Sequence, residues 1–183
     1  MSVFLCSPIL SRRRFLYGAG TSLALLPLGT ALARVPERRS LSFLHTHTGE
    51  RLSSVYFEAG RYRPAELERI NGLLRDFRTG DVHPIDTGVL DILADLRVLA
   101  DRDEPYEVIS GYRSPHTNAA LRLHSTGVAE HSLHLQGRAI DVRLPGFPTR
   151  RLRELALDMR RGGVGFYPQS DFVHLDSGRV RCW

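Results

Sequence analysis

The chain has 183 residues, of which 42% are hydrophobic and 25% are charged, so it is long enough for one globular domain with a buried core. The formal net charge is +5, but it falls to +2 beyond residue 33, because the first 33 residues contain three arginines and no acidic residue. A charge this small does not indicate a nucleic-acid partner.

The N-terminus has the layout of an export signal. The segment 11-SRRRFL-16 matches the twin-arginine pattern, and residues 17–33 are uncharged and mostly apolar and end in Ala-Leu-Ala. A positive region followed by a short apolar region and small residues indicates a removable signal peptide. We therefore expect cleavage after Ala33 and a periplasmic location. The alternative is a retained membrane anchor, for which an apolar run of about 17 residues is at the lower limit.

After the signal peptide (1–33), we expect a flexible leader at 34–40 and a single folded domain at 41–183. Cys6 lies in the signal, so Cys182 is the one cysteine of the exported chain. This excludes an internal disulfide and a zinc site built on cysteines.

Two strands and two helices are predicted in the first half of the domain. Alternating apolar residues indicate strands at 41–47 and 51–57, joined by a tight turn. Pro64 marks the start of a helix that we expect to end at Gly80. Thr87 is the expected N-cap of the next helix. The apolar face of this second helix is formed by Leu90, Leu93, Leu96, Val98 and Leu99.

Shorter elements are predicted in the second half. We expect strands at 106–110, 138–144, 164–167 and 172–176, and helices at 118–123 and 149–161. The order of helices and strands has no regular βαβ rhythm. It predicts an α+β fold with a small central antiparallel sheet and flanking helices.

The segment 131-HSLHLQGRAID-141 places an acidic residue inside a predicted buried strand. Asp141 and Arg143 share one face of that strand, and the larger apolar residues share the other. Asp141 therefore points away from the apolar side, toward the loop of His134, and Gly137 lets the backbone turn between them. Because imidazole and carboxylate groups bind zinc at about 2.0–2.2 Å, we predict that His134 and Asp141 are two ligands of one zinc ion.

His174 is the predicted third ligand. It lies in the short strand 172–176 and shares a face with Asp176, so a rigid element presents its ring. A catalytic zinc has three protein ligands and a water. Asp171 precedes the strand and is the predicted general base for that water. Asp176 is expected to orient either His174 or Arg113.

Several motifs together resemble the zinc peptidoglycan peptidases, a group that includes D-Ala-D-Ala carboxypeptidases, VanX-type dipeptidases and murein endopeptidases. The motifs are HxxGxAxD at 134–141 followed by His174, SGYRS at 110–114, and the FVH and RCW segments at 172–174 and 181–183. The chain is most similar to the MepK-like murein endopeptidases, over roughly the whole length after the signal. The resemblance implies the fold of the D-Ala-D-Ala carboxypeptidase type and one zinc ion per chain. It also implies peptidoglycan stem peptides as the partner and hydrolysis of their crosslinks.

The resemblance also implies roles for three further residues. Arg113 corresponds to the arginine that stabilises the charge on the tetrahedral intermediate. Asp171 stands where VanX-like members have a glutamate base, with a side chain one methylene shorter. His131 is expected near the site as a donor to the transition state.

Other interpretations of these residues stay open. His131 is a rival to His134 as a ligand, because the two stand three residues apart, although Gly137 and the strand after it argue against a helix there. His45 and His47 share a strand face and are a separate metal candidate.

Two charged residues have structural alternatives as well. Asp141 alone would be read as a buried acid paired with Arg138 or Arg143. Arg113 alone would be read as a surface arginine in a turn.

Two alternative functions follow from the same residues. One is a carboxypeptidase or dipeptidase that acts on free stem-peptide ends, which would differ in the shape of its groove. The other is a non-catalytic wall-binding domain stabilised by zinc, in which His131 or Asp171 would be a fourth ligand.

Overall fold

The computed structural model describes residues 38–124 and 127–183. The predicted signal peptide and residues 34–37 of the predicted leader lie outside these ranges. The described strands are β1 (Arg38–His45), β2 (Arg51–Glu58), β3 (Arg61–Tyr62), β4 (Tyr106–Ser110), β5 (Ala139–Arg143), β6 (Gly163–Tyr167), β7 (Phe172–Asp176) and β8 (Arg181–Cys182). The described helices are α1 (Pro64–Leu73), α2 (Thr87–Ala100), α3 (Pro115–His124), α4 (Thr149–Met159) and a 3₁₀ turn, Leu133–Gln136.

The strands form one sheet in the order β3-β2-β1-β4-β5-β7-β6-β8. Neighbouring strands are antiparallel except at two places, β1 beside β4 and β6 beside β8, which are parallel. The α+β class is therefore confirmed. The expected small antiparallel sheet is instead a mixed sheet of eight strands: the parallel pairs β1/β4 and β6/β8 make it mixed, and the two-residue strands β3 and β8 extend its edges.

The two faces of the sheet have different chemistry. Ile140, Val142 and Leu144 point to one face and are at most 2% exposed. There they join the apolar residues of β7 and the helices α2 and α4 in the core. Burial of each such side chain stabilises the fold by about 1.5–3 kcal/mol. Because strand residues alternate, Asp141 and His174 are directed to the opposite face.

Several boundaries differ from the sequence prediction. Helix α1 ends at Leu73 and not at Gly80, because residues 76–81 close into a loop in which the Gly80 N–H donates to the Asp76 carbonyl over 2.7 Å. Helix α2 is capped by Asp86 and not by Thr87, since the Asp86 carboxylate accepts a hydrogen bond from the Gly88 N–H over 2.8 Å.

Three further differences concern shorter segments. Residues 38–40, expected in the leader, belong to β1. Helix α3 begins at Pro115, three residues before the predicted start. The 3₁₀ turn at 133–136 forms where Gly137 argued against a helix, and Gly137 is the residue that ends it.

Across the two described ranges, every helix is too short or too polar to cross a lipid bilayer.

Candidate metal centre

Three predicted ligands come from two adjacent strands and the turn before one of them. Asp141 in β5 and His174 in β7 are directly opposite each other in the antiparallel ladder. His134 lies in the 3₁₀ turn Leu133–Gln136, which is capped by Ser132 and Gly137. The Ser132 hydroxyl accepts a hydrogen bond from the His134 N–H. Gly137 has a φ of +63°, and a Cβ there would lie 2.1 Å from the Pro84 carbonyl oxygen. A glycine is therefore required at the position that directs His134 toward the strands.

The ligand atoms form a small, buried triangle. His134 Nε2 is 3.2 Å from His174 Nδ1 and 3.3 Å from Asp141 Oδ1, and the His174 and Asp141 atoms are 2.9 Å apart. His134 is 2% exposed, Asp141 is 6% exposed and His174 is 8% exposed. In a tetrahedral zinc site with bonds of about 2.0–2.1 Å, ligand atoms are about 3.3–3.4 Å apart. The observed triangle is close to these dimensions.

The outer hydrogen bonds of both histidines fix which nitrogen faces the centre. His134 Nδ1 is 2.7 Å from the Gly111 carbonyl oxygen, which only accepts, so the proton is on Nδ1 and the Nε2 lone pair points inward. His174 Nε2 is 3.1 Å from the carboxylate of Asp176, which only accepts, so Nε2 carries a proton and Nδ1 is the nitrogen that faces inward. When a cation takes the place of the proton that Nδ1 shares with Asp141, three acceptor atoms meet around it.

The ionisation of the cluster also favours positive charge at this point. Burial lowers the pKa of His174, but the hydrogen bonds to Asp141 and Asp176 outweigh it and raise the pKa to about 9. Burial raises the pKa of Asp141, but the neighbouring His134 and His174 lower it overall to well below its usual range. Within the described residues, this is the one group of three His, Cys, Asp or Glu side chains whose ligand atoms lie within 4.8 Å of one another.

Arg113 lies beside the triangle. Its Nη2 is 3.7 Å from Asp141 Oδ2 and donates to the Ser110 hydroxyl over 3.3 Å. The side chain is 12% exposed, and burial lowers the pKa of the guanidinium although Asp141 acts in the opposite direction. Its Nε–H has no hydrogen-bond partner among the described residues. The backbone N–H of Arg113 donates to the His134 carbonyl, so the two residues are held together.

The structure does not bring Asp171 and His131 to the triangle. Asp171 is exposed, has a φ of +50° and accepts a hydrogen bond from the Thr149 hydroxyl at the start of α4. His131 is exposed, two residues before the 3₁₀ turn, and makes no hydrogen bond within the described ranges. A fourth protein ligand from either residue is therefore absent from the described cluster.

The arginines proposed as structural partners of Asp141 bind elsewhere. Arg138 donates to the backbone oxygen and hydroxyl of Ser177, and Arg143 donates to Glu107. Asp141 is therefore not the buried half of an ion pair with either of them.

The other histidine pair lies apart from this centre. The buried His45 accepts a hydrogen bond at Nδ1 from the His47 N–H over 3.3 Å, and the His47 ring stacks on Phe77 at 4.2 Å. Within the described residues the two rings do not share a metal-type cluster.

Two neighbours of His174 were not assigned with certainty from the sequence. Asp176 binds His174 and not Arg113, which decides between the two expected orientations. Trp183 places its indole 5.1 Å from the His174 ring and donates from Nε1 to the Tyr167 hydroxyl over 2.9 Å. The His-x-Asp spacing on one strand face was the signal for Asp176. Trp183 closes the RCW segment of the family resemblance, and its contact with His174 depends on how β8 is placed.

Comparison with known proteins places this chain in a family. Residues 33–183 match the family model described as Peptidoglycan L,D-endopeptidase MepK. The chain is 40% identical over 176 residues to the Peptidoglycan L,D-endopeptidase MepK of Escherichia coli strain K12, covering 94% of this chain and 97% of the relative. It is 41% identical over 168 residues to the probable Peptidoglycan L,D-endopeptidase MepK of Haemophilus influenzae, covering 91% and 90%. No solved structure matches the chain. The sequence resemblance is confirmed, and the chain belongs to the MepK family of peptidoglycan L,D-endopeptidases.

Proposed function

We propose that this chain is a zinc-dependent murein endopeptidase that hydrolyses peptide crosslinks of peptidoglycan. The names of the family and of its relatives give the substrate class and the L,D type of the bond. The observation that carries the metal assignment is the convergence of three buried ligand atoms, His134 Nε2, Asp141 Oδ1 and His174 Nδ1, at 2.9–3.3 Å from one another. Two imidazoles and one carboxylate are a ligand set of catalytic zinc sites, whereas structural zinc sites have four protein ligands.

Each residue of the cluster has a distinct task in this proposal. The chemistry that zinc supplies in such a site is polarisation of the scissile carbonyl and a lower pKa for the attacking water. Asp141, His134 and His174 hold the ion, and the Gly111 carbonyl and Asp176 keep both imidazoles in the ligating tautomer.

Arg113 is the proposed donor to the oxyanion that forms as the carbonyl is attacked. It is a buried cation beside Asp141, and its Nε–H is without a partner in the described residues. A preorganised donor of this kind is worth about 100- to 1,000-fold in rate. His131 stays a prediction as a second donor.

The general-base role of Asp171 also stays a prediction, since the carboxylate would have to exchange the Thr149 hydroxyl for the water. Asp171→Asn should lower kcat by about 100-fold or more and leave zinc affinity unchanged. Thr149→Val is the control, because it removes the same hydrogen bond and keeps the carboxylate. Equal losses in both variants would show that Asp171 only supports the start of α4.

We further propose that the chain acts in the periplasm after twin-arginine export. Its substrate class lies outside the cytoplasm, and residues 11–33 have the composition of such a signal.

The test of the proposed function is cleavage of purified crosslinked muropeptides with and without a zinc chelator, followed by mass analysis of the products. We expect cleavage of a crosslink, loss of cleavage with chelator and recovery with zinc. His174→Ala should bind no zinc and cleave nothing, while His124→Ala, an exposed histidine of α3, should retain both properties.

The same experiment distinguishes the alternatives. Release of free terminal D-alanine without crosslink cleavage would make the protein a carboxypeptidase. Zinc binding without any cleavage would make it a non-catalytic wall-binding domain.

A further inference from the structure

Behind His174 lies a carboxylate with an unusually complete set of donors. The Asp176 side chain is fully buried, and the Gly163 and Gly178 N–H groups donate to its Oδ1 over 3.1 and 2.8 Å. Arg181 donates to both oxygens, from Nη1 to Oδ1 over 3.0 Å and from Nη2 to Oδ2 over 2.7 Å. The remaining contact of Oδ2 is the His174 Nε2 atom at 3.1 Å.

This arrangement fixes the carboxylate in one orientation. A carboxylate held by one donor can rotate, but the two-point contact of a planar guanidinium fixes both oxygens at once. The only direction left to Oδ2 is toward His174 Nε2. The position of the His174 ring, and hence of the lone pair that faces His134 and Asp141, therefore depends on Arg181.

Small residues make room for the contact. A Cβ at Gly163 would lie 2.4 Å from both Asp176 Oδ2 and Arg181 Nη1, and a Cβ at Gly178 would lie 2.8 Å from Asp176 Oδ1. Gly163 in β6 is paired with Arg181 in the parallel strand β8. Because Gly163 and Gly178 have no side chains, Arg181 of the edge strand β8 can reach the buried Asp176.

The end of β8 contacts His174 from another side. The Arg181 guanidinium lies 4.9 Å from the Trp183 ring, and that ring is 5.1 Å from His174. A Cβ at Gly165 would lie 2.7 Å from the same indole. Strand β8 therefore supports His174 through a hydrogen-bonded acid and through ring packing.

We propose that Arg181 is a positioning residue of the metal centre, which holds Asp176 so that the acid keeps His174 in the geometry that ligates zinc. The inference rests on the proposed function, since it assumes that the triangle binds zinc. Arg181 reaches His174 through Asp176 and, more weakly, through the Trp183 ring. Loss of the hydrogen-bonded partner of a ligand, which here is Asp176, typically weakens metal binding by about 10- to 100-fold.

The test is the zinc affinity of the purified protein, measured by competition with a chelator of known affinity. Zinc binding is followed by the fluorescence of Trp183, the single tryptophan of the chain, which lies beside His174. Arg181→Gln keeps Asp176 but frees it to rotate, so zinc binding should be weaker by up to about 10- to 100-fold, the loss typical when the partner of a ligand is removed.

The matched control is Arg39→Gln. Arg39 also binds a buried acid, with its Nη1 atom 2.7 Å from Asp91 Oδ1, but this acid belongs to no metal-type cluster of the described residues. Both variants lose a guanidinium from a buried carboxylate and are expected to lose stability. Only Arg181→Gln should lose zinc affinity, which separates positioning of the ligand from general support of the fold.

Arg181→Lys keeps the experiment decisive if Arg181→Gln does not fold. A lysine preserves the charge but not the two-point contact, so its zinc affinity should lie between those of Arg181→Gln and the unchanged protein. Zinc affinity within about twofold of the unchanged protein in a folded Arg181→Gln or Arg181→Lys variant would overturn the inference. A failure of the unchanged protein to bind zinc would instead overturn the proposed function.

Discussion

Two buried aspartates of this protein have opposite surroundings. Asp91 in α2 accepts hydrogen bonds from the hydroxyls of Tyr56 and Tyr62 over 2.9 and 2.7 Å and pairs with Arg39 at 2.7 Å. Asp141 in β5 has the inward-facing nitrogens of two histidines as its nearest neighbours, at 2.9 and 3.3 Å. Both acids are less than 10% exposed.

The difference lies in the chemical type of the neighbours and not in burial or charge. Every close partner of Asp91 is a donor, so its negative charge is already satisfied by the protein. The histidines beside Asp141 have their far nitrogens held by an acceptor, so their inward nitrogens become available to a cation that replaces the shared proton. A buried acid whose nearest partners are fixed donors supports the fold, and a buried acid whose nearest partners are two histidine nitrogens indicates a metal site.

Replacing the same acid by the same amide in both places gives the largest expected contrast. Asp141→Asn removes the anionic ligand, so zinc binding and crosslink cleavage should both fall by about 1,000-fold or more, since a metal supplies several kcal/mol of transition-state stabilisation. Saturating zinc stabilises any protein that binds it in the folded state, by about 2.7 kcal/mol at 100 times the Kd. That gain in the free energy of unfolding should disappear in Asp141→Asn, as measured by urea denaturation with and without zinc. Zinc-dependent stabilisation that persists in this variant would contradict the ligand assignment.

Asp91→Asn should have the reverse effect. It leaves the guanidinium of Arg39, 16% exposed, without its anion and replaces one of the two oxygens that accept from Tyr56 and Tyr62 by an NH₂ group. Removing one partner of a buried ion pair costs about 3–5 kcal/mol of the free energy of unfolding. Zinc affinity should stay within about twofold of the unchanged protein. A fall in zinc affinity as large as the one in Asp141→Asn would erase the distinction between the two acids.

The sequence predicts one of these two clusters and misses the other. The alternation of β5 and β7 puts Asp141 and His174 on the face opposite the core, and the family motif selects His134 from the eight histidines of the chain. Asp91 follows Leu90 in a helix, and its partners come from β1, β2 and β3. No local pattern indicates a contact of that kind.

Other parts of the site were beyond sequence patterns for similar reasons. Arg181 lies in a strand of two residues, which is too short to show any period, and its partner Asp176 is reached only because β8 runs beside β6. Asp171 has a positive φ, which directs its side chain to Thr149, 22 residues earlier. Since the residue is not a glycine, the sequence gives no sign of this left-handed conformation. The sequence could indicate that Asp171 and Asp176 belong near His174. The directions of the Arg181 and Asp171 side chains depend on tertiary contacts and could not be predicted.

A third buried acid, Asp76, extends the comparison and has the smallest expected effect. It is 1% exposed and, like Asp91, is surrounded by donors, including the backbone N–H groups of Ser114 and Arg78. Burial raises its pKa, but the donors around the carboxylate outweigh burial and lower the pKa to about 2. Since Ser114 follows Arg113, this acid also ties the arginine's loop to the segment after α1.

The lowered pKa makes the contribution of Asp76 depend on pH. A pKa that is lower in the folded than in the unfolded chain stabilises the fold above the unfolded value of 3.8 and loses that effect as the pH falls through about 2. The full contribution is about 2 kcal/mol. The difference in the free energy of unfolding between the unchanged protein and Asp76→Asn should therefore be largest at pH 5 and shrink by about this amount near pH 2. Urea denaturation followed by circular dichroism measures it, with Asp158→Asn as the exposed control. If this difference in the free energy of unfolding did not change with pH, the negative charge of Asp76 would contribute nothing to stability. The rule that surrounding donors mark a structural acid would then apply to Asp91 alone.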